Sequence, residues 1–202
     1  MKVNILDMTS DPIKCINMMA RNCYNSRDKF TKDNGIGFIK GIIKRGHDSM
    51  LEAAHIIFDI QGVSRSLLAQ ATRHRIGVTF AVQSQRYVNQ ENQEYVTPET
   101  LKFENNKTAN AIYENTIQMC KATYKELIAL GVPKEDARYV LPEATTTNIC
   151  ISFNFRALRH FLELRLDKHA QKEIRTLCQE MIKEMDKKGL QWLYEDIVEK
   201  NK

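Results

Sequence analysis

The chain has 202 residues, 43% of them apolar and 27% charged, with a formal net charge of +5. That length suits a single domain with a proper core, and so ordinary a balance excludes a disordered or low-complexity protein. No apolar run reaches the roughly 18 residues of a membrane-spanning helix, and the opening MKVNILDMTSDP lacks the apolar stretch of a signal peptide. A cytoplasmic single domain over residues 1–202, with no membrane partner, is therefore expected. Cys15, Cys23, Cys120, Cys150 and Cys178 are scattered, with no Cys-x-x-Cys or Cys/His ligand spacing, so reduced thiols and no metal are expected. The mild positive charge favours anionic ligands without demanding nucleic acid.

In chain order, KVNILD predicts a short strand. Asp11-Pro12 opens a helix, Asp as cap and Pro at its first position, with Ile13, Ile16 and Ala20 on one face. Ile36, Ile39 and Ile43 mark a second helix that Gly46 stops. HIIFDI predicts a strand, and a helix carrying Leu67, Leu68 and Ala71 follows Gly62 and Ser64. This helix should end near Arg73-His74-Arg75, before a strand over VTFAV. Cations at a helix C-terminus are favourable by about 0.3–1 kcal/mol, so a capped helix end is the bland explanation of that triplet. A long helix is expected from Asn106 to Leu130, buried along Ala109, Ile112, Thr116, Met119, Thr123 and Leu127. PKEDARYVL predicts a short helix. TTTNICISFN alternates, with Ile149, Ile151 and Phe153 on one face and Asn148, Ser152 and Asn154 on the other, as a half-buried strand should. Helices over 155–168 and 170–187 and a segment with Trp192 complete an α+β order.

The helix after Asn154 is anomalous. Its apolar stripe of Leu158, Phe161 and Leu162 continues into Arg165 and His169. A guanidinium cannot shed its charge, so Arg165 needs a partner, such as Glu173 or Glu52, or a ligand pocket. His169, on the same face, is expected to orient it or to cap a hydrogen-bond network. Arg73, Arg75, Arg86, Arg138, Arg156 and Arg165 all fall at element ends or on half-buried faces, and guanidinium forks suit phosphates and planar polar groups. No Walker loop, Gly-x-Gly-x-x-Gly, Gly-x-Ser-x-Gly or carboxylate-rich metal cluster is present. A site that binds phosphates without a nucleophile suggests chemistry carried by a cofactor.

Arg73-His74-Arg75 followed by Ser84-Gln85-Arg86-Tyr87 resembles the signature of the flavin-dependent thymidylate synthases, the ThyX family. GHDSMLE, QGVSRSLLAQ, GVPKEDARYVLP and NFRALRHFLELRLDKHAQKEI are similar to further family blocks and occur in family order. The resemblance implies an antiparallel sheet flanked by helices, the thymidylate-synthase-complementing-protein-like fold. It implies FAD bound between subunits of a homotetramer, with NADPH as reductant and 5,10-methylenetetrahydrofolate as carbon donor in methylation of dUMP to dTMP. By position, His47, Ser49, Arg73, His74, Arg75, Asn154, Phe155, Arg156 and His160 would contact FAD. Gln70, Arg73, Gln83, Ser84, Gln85, Arg86, Arg138 and Arg165 would hold dUMP, with 82–86 supplied by a neighbouring chain. Arg165 would be catalytic, favouring negative charge on the uracil.

The chain departs from the family pattern in places. Residues 76–83 are one more than the usual spacing between the triplet and the serine, and Ala81-Val82 replaces a common Asn-Glu. His160 stands for an asparagine, and LEAAH is one residue longer than Leu-Glu-His. Action on another pyrimidine nucleotide and an inactive flavin- or nucleotide-binding paralogue are the alternatives. A nucleic-acid-binding protein is disfavoured because the arginines are scattered and no aromatic residues are interleaved with them.

Overall fold

The computed structural model describes residues 1–201. Four strands, β1 (Lys2–Met8), β2 (His55–Ser64), β3 (Val78–Val82) and β4 (Thr146–Asn154), form one sheet in the order β1-β2-β4-β3. The pairings Thr9 with His55, Asn148 with Gln83, and Asn154 with Gly77 run in opposite chain directions, so the sheet is antiparallel. Eight helices accompany it among the described residues: α1 (Pro12–Asn22), α2 (Lys32–Lys44), α3 (Arg65–Ala71), α4 (Lys107–Ala129), α5 (Lys134–Ala137), α6 (Phe155–Leu166), α7 (Lys172–Asp186) and α8 (Glu195–Lys200). This is the α+β class expected. None of them is long and apolar enough to cross a membrane.

The chain divides into two compact units. The larger comprises Lys2–Asp59, Arg73–Phe80 and the chain from Cys150 onward; the smaller comprises Met1, Ile60–Thr72 and Ala81–Ile149.

In the larger unit α7 packs on β1 and α6. The alternating apolar residues of β2 and β4 meet in a run of rings, Phe58 to Phe153 at 6.4 Å and Phe153 to Phe161 at 5.2 Å between centroids. Met181 and Met185 of α7 are fully buried in this core. A short C-terminal helix, α8, was not legible in the sequence. Its Asp196 is gripped by both Nη atoms of Arg159 at 2.8 and 2.7 Å, which explains why α6 carries an arginine at that position.

In the smaller unit α4 packs on α5. The buried face of α4 is not the expected one. Ile117 and Tyr124 are its buried residues, while Ile112 and Met119 are 63% and 70% exposed. The expected stripe joined alanine and threonine positions with little burial energy to gain. Tyr124 is fully buried, with its hydroxyl accepting from the Gln90 amide at 3.3 Å, and turns the helix to its own side.

Candidate functional site

In the larger unit the Arg-His-Arg triplet lies in the turn segment after Thr72, so α3 ends near it as expected, but no cation sits in the last turn of that helix. The turn is fixed by Gly77, which sits at φ +70, where a Cβ would come within 2.4 Å of the Asn154 side chain. Its carbonyl accepts from the Asn154 amide at 2.9 Å. The Asn154 side chain in turn caps α6, accepting from the Ala157 amide at 2.8 Å. One asparagine therefore ends β4, starts α6 and abuts the loop that presents the triplet.

Arg73 and Arg75 are exposed and His74 is half-buried. The His74 ring rests on Phe161 at 4.8 Å and faces His160 edge-on at 5.7 Å. Arg165, at the end of α6, donates from Nε to His74 Nε2 at 3.0 Å. Burial, then Arg165, His160 and Arg73 push the His74 pKa down to about 4, so the ring is neutral at physiological pH. Burial and the neighbouring Arg73 lower the Arg165 pKa as well. Cys178 of α7 lies beside Arg165, but burial drives its thiol pKa upward, so it is no thiolate nucleophile.

Two expectations for Arg165 are corrected. Glu52 instead accepts from Arg156 at 2.7 Å. His169 lies beyond the end of α6, is exposed, and pairs with Asp167 at 2.8 Å, because the helix stops at Leu166 and breaks the predicted face. Phe155 is also reassigned in part: its side chain is fully buried against Trp192 at 6.1 Å, so only its backbone is available to a ligand. His47 and Ser49 are exposed around Asp48, whose Oδ1 is buried with no hydrogen-bond partner among the described residues.

In the smaller unit Ser84, Gln85 and Arg86 form a tight turn, with Ser84 Oγ accepting from the Arg86 amide at 3.2 Å. Arg86 pairs with Glu135 at 2.9 Å on the surface. Gln70 lies on α3, its amide 3.5 Å from the Ser66 carbonyl. Gln85 and Arg138 line a cleft of about 290 Å³ with Arg65, Tyr139, Leu141, Pro142 and Glu143. The Gln83 carbonyl and Thr147 Oγ1 accept from Arg65 Nη1 at 3.5 and 3.4 Å, while the Gln83 side-chain oxygen is buried and unpartnered among the described residues. Burial and then Arg138 lower the Arg65 pKa, against the opposing pull of Glu143.

Arg65 was not among the residues expected from the sequence. A signal was present: it follows the capping Ser64 directly, so a cation occupies the first turn of α3, where the helix dipole favours an anion.

Both units thus offer cations and amide donors, Arg165 and Arg65 among them in half-buried settings, and the buried Cys178 is held as a thiol. Guanidinium forks and amide donors suit anionic, planar, polar ligands. The profile of the family described as thymidylate synthase complementing protein matches residues 4–188. The flavin-dependent thymidylate synthase of Geobacter sulfurreducens is 38% identical over 191 residues, covering 91% of this chain and 81% of that protein. The enzyme of the same name from Pyrococcus abyssi is 36% identical, covering 93% of this chain and 80% of that protein. A crystal structure of thymidylate synthase X from Helicobacter pylori with FAD and dUMP superposes with a TM-score of 0.81 at 27% identity, covering 98% of this chain and 99% of that one. The chain belongs to the thymidylate synthase complementing protein family, whose curated relatives here are flavin-dependent thymidylate synthases.

Proposed function

We propose that this chain converts dUMP to dTMP with bound FAD, taking the carbon from 5,10-methylenetetrahydrofolate and two electrons from NADPH. It acts as one domain, the family match running through both units. It assembles as a cytoplasmic homotetramer with shared active sites, residues 82–86 coming from a neighbouring chain.

The residues fit the cofactor. Arg73, Arg75 and Arg156 are exposed cations suited to a pyrophosphate, and the buried, unpartnered Asp48 oxygen is an acceptor for hydroxyls. His47, Ser49, His74, Asn154, the Phe155 backbone and His160 complete the FAD set. When bound and reduced, FAD supplies the hydride that takes the carbon from methylene to methyl level, leaving tetrahydrofolate. Gln70, Arg73, Gln83, Ser84, Gln85, Arg86 and Arg138 hold dUMP, and Arg65 lines the cleft with Gln85 and Arg138 of its own chain, so that this cleft travels with residues 82–86 into the neighbour's site. Arg165 sets a permanent cation against negative charge developing on the uracil. Cys178 takes no part, which suits a reaction without an enzyme nucleophile.

The observation that carries this reading is the Arg165–His74 contact of 3.0 Å beside the triplet turn, in a chain of this family. Purified protein should take up FAD, bleach on NADPH, change its flavin spectrum on dUMP and form dTMP. Arg165→Ala should retain FAD and lose dTMP formation by about 100-fold or more. Protein that takes up no FAD, or an Arg165→Ala variant with near-normal turnover, would sink it.

A further inference from the structure

We propose that His74 is a positioning residue for Arg165, an imidazole fixed as the Nδ1–H tautomer whose Nε2 lone pair sets the plane of the guanidinium. A guanidinium has only N–H donors, so a contact of 3.0 Å between Arg165 Nε and His74 Nε2 requires Nε2 to be unprotonated. The ring proton must then be on Nδ1, and His74 addresses anything else only as a donor.

The surroundings enforce this state. Arg165 and His160 face the ring from α6, Arg73 faces it from its own turn, and Phe161 packs on it at 4.8 Å. Burial and the positive charges gathered around the ring, Arg165 foremost, oppose a second proton. Cys178, from α7, faces Arg165 and is held as the neutral thiol. The backbone fixes the other end of the lever: Gly77 and Asn154 lock the triplet turn to the start of the same helix that carries Arg165 at its finish.

A carboxylate in place of His74 would hold Arg165 too, but it would neutralise the charge the reaction uses. A neutral imidazole orients the cation without itself neutralising it. His74 is therefore neither a general base nor a mere cofactor contact.

The kinetic part rests on the dUMP reading above; the tautomer part does not. In ¹⁵N-histidine-labelled protein, His74 should show an unprotonated Nε2 and a protonated Nδ1 from pH 8 down to about pH 5. Arg165→Ala should release it to the usual Nε2–H form or to imidazolium. A wild-type Nε2–H tautomer overturns the proposal whether or not the protein binds nucleotide. A wild-type chain that binds neither FAD nor dUMP removes the functional reading, and the tautomer result still decides this one.

With FAD-loaded enzyme, His74→Leu should lower kcat by about 10- to 100-fold through misplacement of Arg165. His74→Gln, which returns an acceptor near the Nε2 position, should recover to within about threefold. In the Arg165→Ala background, His74→Leu should change dUMP affinity by less than about twofold, since the two act as one unit. Multiplicative effects in the double variant, or no rescue by glutamine, would assign His74 a role independent of Arg165.

Discussion

In the smaller unit β2 passes into α3 through Ser64, and in the larger unit β4 passes into α6 through Asn154. Both junctions dispense with a loop, because the last strand residue caps the next helix: Ser64 Oγ accepts from Leu67 N at 3.0 Å and Asn154 Oδ1 from Ala157 N at 2.8 Å. Both place an arginine in the first turn, where the dipole disfavours a cation. They differ in what holds that arginine. Arg65 is half-buried and held by neutral oxygens of Gln83 and Thr147, whereas Arg156 is exposed and paired with the Glu52 carboxylate. A cation on neutral acceptors keeps its field for a ligand, while one on a surface carboxylate largely spends it. The contact of Arg165 Nε with neutral His74 is of the Arg65 kind.

The largest effect should come from breaking one junction alone. Gly77→Ala forces a side chain at φ +70 and drives a Cβ into the Asn154 cap at 2.4 Å. Backbone strain plus a damaged cap should destabilise by about 2–3 kcal/mol, or lower Tm by about 5–10 °C for a chain of this size. Ser64→Ala, at the other junction, removes the cap on Leu67 N without forcing a clash, and should cost about 1 kcal/mol. Combining Gly77→Ala with Asn154→Ala should be less damaging than the sum, since the clash partner is gone; strict additivity in thermal melts would show that the close approach is unimportant.

The contrast between neutral and charged partners is sharpened by Arg65→Ala. A lost charge-assisted contact is worth about 1.5–3 kcal/mol, so the dUMP dissociation constant should rise by about 10- to 100-fold. FAD retention should be unchanged, and Arg65→Lys should recover only part of the loss because an ammonium lacks the planar fork. Unaltered dUMP affinity in Arg65→Ala would remove the cleft from the nucleotide site.

How far the sequence reveals this molecule depends on how local each cause is. The strand ending at Asn154 was legible because alternation and a capping residue are written in adjacent positions. The triplet turn was legible for the same reason, with Gly77 behind it. The α4 face was not, since a helix of weak amphipathicity takes its orientation from the partner of Tyr124. His74 as the partner of Arg165 was also hidden: the two are 91 positions apart, and spacing along α6 pointed instead to His169, which the helix end excludes. Arg65 and Arg156 were visible as cations at the wrong end of a helix, but only tertiary contacts separate the buried one from the surface pair.

Acid offers a further cut at the comparison. The His74 pKa is depressed from 6.5 to about 4 in the folded chain, so the unfolded chain takes up the proton first as pH falls. Stability is therefore unaffected above pH 7 and declines between about 6.5 and 4. His74→Gln should flatten that segment of a stability-versus-pH curve measured by denaturant unfolding; an unchanged slope would show that the ring is not held neutral.

The smallest effect belongs to the charged pair. Arg156 and Glu52 lie 2.7 Å apart with side chains 55% and 47% exposed, so water screens them and both side chains give up rotamer freedom to meet. Glu52→Gln should cost below about 1 kcal/mol, a shift of at most a few degrees in Tm. Releasing Arg156 from its carboxylate should slightly tighten FAD, since the cation regains the field that Glu52 quenches. Titration of the apoprotein with FAD tests this directly: weaker binding in Glu52→Gln would mean that Glu52 orients Arg156 for the cofactor, and the distinction between neutral and charged partners would fail at this junction.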